Sequence, residues 1–347
     1  MARLTCLALL ASVAAARALI IQLDYTYDVA DGGNFFGSNA VARAALEKAA
    51  TDLGAAILPS LAAVTTDVFN GASGGGTASI DWALDFDNPV TTSTVTLNTF
   101  TFAAETVRLF VGMRQLGSTL GVGGPGGVAV AFGAGGTAAG RVTAFNNAAA
   151  ASNSMMQRGG GPVIGDVSGS FNTGGGTAPY SLNYGAMIGA ISFDIDTNWN
   201  FNATGTVPSG TSDFYSVALH EIMHAIGFGT SDTWSAKRSG TTWTGANAIA
   251  IAGSGTNLVA ASGHIAEGVM SFRQDGGGMQ EAAMDPTLTV GTRKVLTQLD
   301  LAILRDIGYA TVPEPSTAML LAAAALVISQ RRSRRPAPCA GRSGRHS

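Results

Sequence analysis

The chain has 347 residues, room for one large domain or two small ones, and its 46% hydrophobic content is too high for a disordered protein. Only 12% of residues are charged and 46 are glycine, which excludes a charged helical protein and fits a loop-rich, β-containing exported one. The formal charge of −3 conceals an acidic body: residues 19–315 carry 12 basic and 23 acidic side chains, a net of −11, which argues against nucleic acid as a partner because phosphate contacts need clustered Lys and Arg.

At the N-terminus, Met1-Ala2-Arg3 leads into an apolar run over 4–16, and Ala16-Arg17-Ala18 has the small-x-small form of a cleavage site. Residues 1–18 read as a secretory signal peptide. The two cysteines are Cys6, in this leader, and Cys339, in the tail. The body at 19–312 therefore has no disulfide framework, and no cysteine that could mask a bound ion in a latent form.

Within the body, "LIIQLDYTY" (19–27) alternates as a strand does. Residues 38–53 have helical periodicity, with Ala42, Ala45, Leu46, Ala49 and Leu53 on one side and Ser38 as the N-cap. "TVRLFVGMRQL" (106–116) is a strong strand, with Val107, Leu109, Val111 and Met113 on one face. Gly-rich turns follow at 121–140, a second helix at 142–158, and a Gly-rich stretch to about 177. "MIGAISFDIDTNWNF" (187–201) is a second strong strand. At its polar end Asp194, Asp196 and Asn198 alternate, a spacing that could supply oxygens to calcium. The Gly and terminal Glu of an EF-hand loop are missing, so a polar strand end is the better reading. No internal repeat is present. Strands with two helices, then a further helix, predict an α+β layer structure.

That further helix carries the chemistry. Pro208-Ser209-Gly210 is a loop, Thr211 or Ser212 can cap a helix running to about Ile226, and Gly227 can end it. His220 and His224 are four apart, so both imidazoles project from one face and can bind one ion. Glu221 is rotated by about 100° and sits beside that ion, placed to act as a general base toward water. With 4 histidines in the chain, this pattern arises by chance on the order of once in a thousand sequences. The alternative is a pair of core histidines, which would leave Glu221 as a buried, unpaired acid.

An open catalytic zinc site needs three protein ligands. Of the remaining histidines, His346 lies in the tail, beyond the apolar segment. That leaves His264, in "AASGHIAEGVMSF", as the favoured third ligand. The rival is Asp232, in "GTSDT". An imidazole that finds no ion in such a loop would be solvated surface.

His220-Glu221-x-x-His224-x-x-Gly227-Phe228, a distant histidine, and Met284-Asp285-Pro286 resemble the metzincin zinc peptidases. Thr230 stands where the usual metzincin pattern has its third ligand. The closer resemblance is to the leishmanolysin-like arrangement, in which an insertion separates the Gly-Phe from the third histidine. The resemblance implies a twisted mixed sheet with an active-site helix and an irregular C-terminal subdomain ending in a helix. It implies Zn2+ on His220, His224 and His264, Glu221 as catalytic base, Met284 on the tight turn beneath the metal, and a protein or peptide substrate. It covers about 212–309. Tyr215 and Tyr309 are the two candidates for a transition-state tyrosine. "GTRKVLTQLDLAILRDIGY" (291–309) predicts the closing helix, with Thr297 and Asp300 as a capping box, Leu299, Ile303 and Ile307 on one face, and Gly308 as its stop.

The C-terminus reads Pro313-Glu314-Pro315, an apolar segment over 317–328, then Arg331, Arg332, Arg334 and Arg335. The apolar run is short for a membrane span, and the arginines follow the positive-inside rule. The triplet, span and basic cluster (313–335) resemble a PEP-CTERM sorting signal, and the whole chain resembles PEP-CTERM metallopeptidases. This implies an exosortase-type partner, transient anchoring in the inner membrane of a Gram-negative bacterium, and a secreted or cell-surface destination. Residues 336–347 are an extra, unstructured tail beyond the usual pattern. The competing expectations are a non-catalytic surface or matrix protein with a structural zinc site, and a glycan-associated domain.

Overall fold

A strand of the first sheet, β1, spans Ile20–Asp24, close to the N-terminal limit of the computed structural model, which describes residues 18–312. The leader, the sorting segment, the tail, both cysteines and His346 lie outside the described residues, Ala18 excepted. The helix α1 covers Ala40–Ala56, and its expected apolar side, Ala42, Ala45, Leu46, Ala49 and Leu53, is buried. Its N-cap is Asn39, whose side-chain oxygen accepts from Ala42 N at 3.0 Å. Ser38 does not cap it, because that residue belongs to a preceding helical turn, Phe35–Ser38.

The strands β2 (Phe69–Ser73), β3 (Gly76–Asp87) and β4 (Thr94–Leu97) come next, then β5 (Thr106–Arg114), β6 (Gly121–Pro125) and β7 (Gly127–Gly136). The helix α2 covers Ala138–Met156, four residues earlier at its start than the sequence suggests. A hairpin of β8 (Gly165–Asn172) and β9 (Thr177–Tyr184) leads to β10 (Ile188–Asp194). Two helices complete the set used below: α3 (Phe214–Ala225) and α4 (Gln298–Asp306).

The first sheet runs in the order β1-β5-β10-β6. The first three strands are parallel, and β6 lies antiparallel along the outer edge of β10. Buried parallel strands read as continuous apolar runs. Accordingly, in β5 the expected face of Val107, Leu109, Val111 and Met113 is buried, and so is Phe110 on the other. Helices α1 and α3 pack together against this sheet.

The second sheet is built on the long strand β3, which pairs along its length with β7 and on its other edge with β2 and β4. Ala78, Ile80, Trp82, Leu84 and Phe86 alternate along β3, and all five are buried in one cluster with Ala144, Phe145 and Ala148 of α2. At roughly 1.5–3 kcal/mol for each fully buried large apolar side chain, this face is a main source of stability.

Two expectations change here. The Gly-rich segment at 121–140 is not a set of turns but the two strands β6 and β7, with the start of α2. The Gly-rich stretch before 177 is largely the β8–β9 hairpin. Frequent glycines hide the strand pattern, yet in β6 Gly121 and Gly123 let α3 approach closely.

The molecule is α+β. From Gly227 to Thr297 the chain has only short helical turns and strands of two or three residues, and it then enters α4. The predicted capping box is present: Thr297 Oγ1 accepts from Asp300 N, and the Asp300 carboxylate accepts from Thr297 N. Leu299, Ile303 and Ile307 are buried. Among the described residues no helix is long and apolar enough to cross a membrane.

Candidate metal centre

Helix α3 starts at an N-cap that the sequence reading placed one or two residues early. Asp213, not Thr211 or Ser212, accepts from Ser216 N at 3.1 Å and from Ser216 Oγ at 2.7 Å. Arg293 pairs with the same buried carboxylate at 2.6 Å, and a negative charge suits a helix N-terminus. At the other end Ile226 is the C-cap, and Gly227 follows with φ of +110°. Thr230 donates its hydroxyl to the His224 carbonyl at 2.8 Å. The residue standing where a ligand was sought is therefore a helix-end partner.

His220 and His224 project from α3 with their Nε2 atoms 3.1 Å apart, and His264 Nε2 lies 3.1 Å from each. His220 Nδ1 is 2.9 Å from the Ala283 carbonyl, and His224 Nδ1 is 2.8 Å from the Phe228 carbonyl. A carbonyl can only accept, so these Nδ1 atoms carry the protons and both Nε2 atoms are bare lone pairs. Burial, first of all, holds His224 down to about 4 and His220 well below the usual histidine range. His264 is lowered too, again chiefly by burial. The three imidazoles are therefore uncharged near neutral pH. Imidazole nitrogens at this spacing can share a cation, and a triangle of this size accepts an ion at about 2.0–2.1 Å from each corner. The three histidines can hold a metal ion.

His264 reaches the site through a close backbone contact. Gly229 and Gly263 lie against each other with φ of +77° and +85°, and a Cβ on Gly229 would collide with the Gly263 carbonyl. Ile265 N then donates to the Met284 carbonyl at 2.9 Å, which fixes the residue after the ligand. Between the two glycines the excursion has its own aromatic packing: Trp234 lies 4.7 Å from Phe228 and 4.6 Å from Trp243. Gly229→Ala is expected to lower metal affinity at least tenfold in a folded protein, because positive φ and the missing space both push His264 away. Metal titration of the purified variant checks this, and wild-type affinity would contradict it.

Asp232, the rival ligand, is not brought to the cluster. It is exposed at the start of a short helix, Asp232–Lys237, and its N–H donates to the Ile164 carbonyl. Met284 is fully buried, and the segment around it is held from α4. The Asp300 carboxylate accepts from Ala283 N at 3.0 Å and Met284 N at 3.1 Å while it also serves the capping box. One buried acid thus sets α4 and the carbonyl on which His220 rests.

Glu221 is 6% exposed and points toward β6 rather than joining the three nitrogens. A Cβ at Gly121 would stand 2.7 Å from Glu221 Cγ and 2.9 Å from its Oε1, so glycine there lets the strand lie on the carboxylate. Burial pushes the Glu221 carboxyl up to about 8, and a hydrogen bond from the Gly123 backbone opposes that rise.

A cleft of about 580 Å³ opens over the histidines and Glu221. One wall is the segment 118–123, and another is 283–288 with Lys294. Lys294 is committed: its ammonium reaches the Thr287 carbonyl at 2.6 Å, Glu281 at 2.9 Å and Asp285 at 3.1 Å.

Neither candidate tyrosine lines the cleft. Tyr215 donates to Asp52 at 2.7 Å, and Tyr309 is buried and donates to the Ile226 carbonyl at 2.8 Å. The alternating acids do not converge on a cation either. The Asp194 carboxylate accepts from Leu116 N and Thr197 Oγ1, Asp196 accepts from Gln115, and Asn198 donates to the Gly210 carbonyl. Sequence reasoning missed Ser262, whose hydroxyl lies 3.0 Å from His264 Nδ1, and the supporting role of Asp300 toward Ala283. Both follow from contacts between distant segments, for which local sequence carries no signal. No protein-family model, curated protein or solved structure matches the chain.

Proposed function

We propose that this protein is an exported zinc-dependent endopeptidase that hydrolyses peptide bonds in protein or peptide substrates. The observation that carries the reading is the convergence of three imidazole Nε2 atoms, 3.1 Å apart, beside a buried carboxylate in an open cleft. Neutral imidazoles suit zinc better than they suit the hard, oxygen-seeking calcium or magnesium. His220, His224 and His264 would hold the ion, which when bound would polarise the scissile carbonyl and acidify water.

The chain's own residues supply the rest. Glu221, whose carboxyl the charge of a bound ion would return to the ionised form, takes the proton of the attacking water and delivers it to the leaving amine nitrogen. Among the described residues strand β6 pairs only with β10, and its other edge would pair with an extended substrate across the cleft. The glycines of β6 keep that edge close to Glu221.

Export, the sorting segment and an exosortase-type partner, with a cell-surface or secreted destination in a Gram-negative bacterium, belong to the same proposal. They rest on the sequence of the two ends. A structural zinc site or a glycan-associated role finds less support, since neither gives a reason for a buried carboxylate facing an open cleft. Incubation with denatured casein, read by mass spectrometry, tests the reading. Internal cuts are expected that stop with a chelator and resume when zinc is restored. Absence of cleavage by zinc-loaded protein would refute it.

A further inference from the structure

The three candidate ligands are not supported alike. His220 and His224 rest their Nδ1 atoms on main-chain carbonyls, and both carbonyls belong to buried residues, Ala283 and Phe228. A carbonyl fixes the tautomer because it has no proton to give. His264 differs: its Nδ1 lies 3.0 Å from the side-chain hydroxyl of Ser262, an exposed residue on the cleft wall. A hydroxyl can donate or accept. If it donates to Nδ1, the ring proton sits on Nε2 and the ring cannot ligate. If it accepts, Nε2 is bare, like the other two.

We propose that Ser262 is a positioning residue for the third ligand: its hydroxyl, acting as acceptor, orients the His264 ring and selects the tautomer that can bind a metal ion. This makes the His264 corner the labile one, through which the ion enters and leaves. The exposed hydroxyl can rotate, whereas the two carbonyls are built into packed backbone. The placement has backbone support as well. The neighbouring Gly263 is locked against Gly229, and the His264 carbonyl accepts from Ala260 N at 2.9 Å, so the main chain holds still while the side-chain contact decides ring orientation. The Ser262 backbone also bonds to the His264 ring, and that contact survives any side-chain substitution. The hydroxyl's share is therefore separable from it. The inference rests on the three-histidine metal centre and is independent of peptide hydrolysis.

The test uses full-length protein loaded with zinc, then challenged with a chromophoric chelator. Ser262→Ala is expected to weaken zinc binding about 10- to 100-fold, the usual effect of losing such an outer partner, chiefly by faster release. Ser262→Thr, which keeps the hydroxyl, is expected to retain wild-type affinity and release rate. The unfolding temperature of the metal-free protein should be the same in all three, because Ser262 is exposed, so a general structural role would not produce this pattern. Equal zinc affinity and release rate in wild type and Ser262→Ala would overturn the proposal and leave the backbone contact as the sufficient partner. Equal losses in Ser262→Ala and Ser262→Thr would overturn it too. A wild-type chain that takes up no zinc would refute the metal centre and this inference together.

Discussion

Replacing His264 by alanine is expected to lower zinc affinity by more than about 100-fold, beyond the 10- to 100-fold typical of outer partners, because an ion held by two imidazoles loses one of its three protein bonds. The variant should fold. His264 is only partly buried, and the backbone around it is held by the Gly229–Gly263 contact and by the Ile265–Met284 hydrogen bond, neither of which needs the imidazole. Asp232→Ala is the matched control and should bind zinc as wild type does, since Asp232 is exposed and outside the cluster. Isothermal titration of zinc into each metal-free protein decides the matter. A loss in Asp232→Ala with none in His264→Ala would reverse the assignment.

The second large effect falls on Glu221. Glu221→Gln is expected to cut kcat/KM for peptide hydrolysis by about 10²- to 10⁴-fold, the range for removing a general base, while one zinc per chain remains. Glutamine is preferred to alanine because it keeps the volume packed against Gly121 and Gly123.

The same substitution has a signature in the metal-free protein. Burial raises the folded-state value for Glu221 from 4.5 to about 8, so between these values the folded chain binds more of this proton than the unfolded chain does. Stability due to this group therefore falls as pH rises through that window. The buried histidines act in the opposite sense, because their folded-state values are depressed. The difference between wild type and Glu221→Gln isolates the carboxylate. It should grow in favour of the variant as pH rises from about 4.5 to about 8, measured by denaturant unfolding after chelation. A difference that does not change with pH would contradict the buried acid.

The strongest sequence signals lay where periodicity and spacing coincide. β5, α1 and α4 had apolar positions repeating at the period of their element, β10 read as an apolar run, and the helical i, i+4 spacing of His220 and His224 needs only local geometry. The scarcity of histidines then pointed to His264 from forty residues away, where the structure places it. The second sheet was missed although β3 carries a regular alternation in Ala78, Ile80, Trp82, Leu84 and Phe86. Its partner β7 looked like turns because its glycines, like those of β6, masked the alternation of Val128, Val130 and Phe132. Those small residues serve packing: Gly121 and Gly123 bring β6 onto Glu221, as no larger residue could. Thr230 illustrates the remaining gap. Its place in the sequence raised the question of a missing ligand, yet its hydrogen bond to the His224 carbonyl depends on how the chain turns after α3. The helix caps were misread by one or two residues for a similar reason. Asp213 wins over its neighbours through Arg293, a residue 80 positions away.

The central claim is an open three-histidine zinc centre that hydrolyses peptide bonds. Zinc content and casein hydrolysis measured on one preparation of the wild-type protein, before and after chelation, test it most directly. The expected result is one zinc per chain, hydrolysis that disappears with the zinc, and recovery of both when zinc is added back. A full complement of zinc with no hydrolysis of any unfolded protein, or hydrolysis that persists after the zinc is gone, would contradict it.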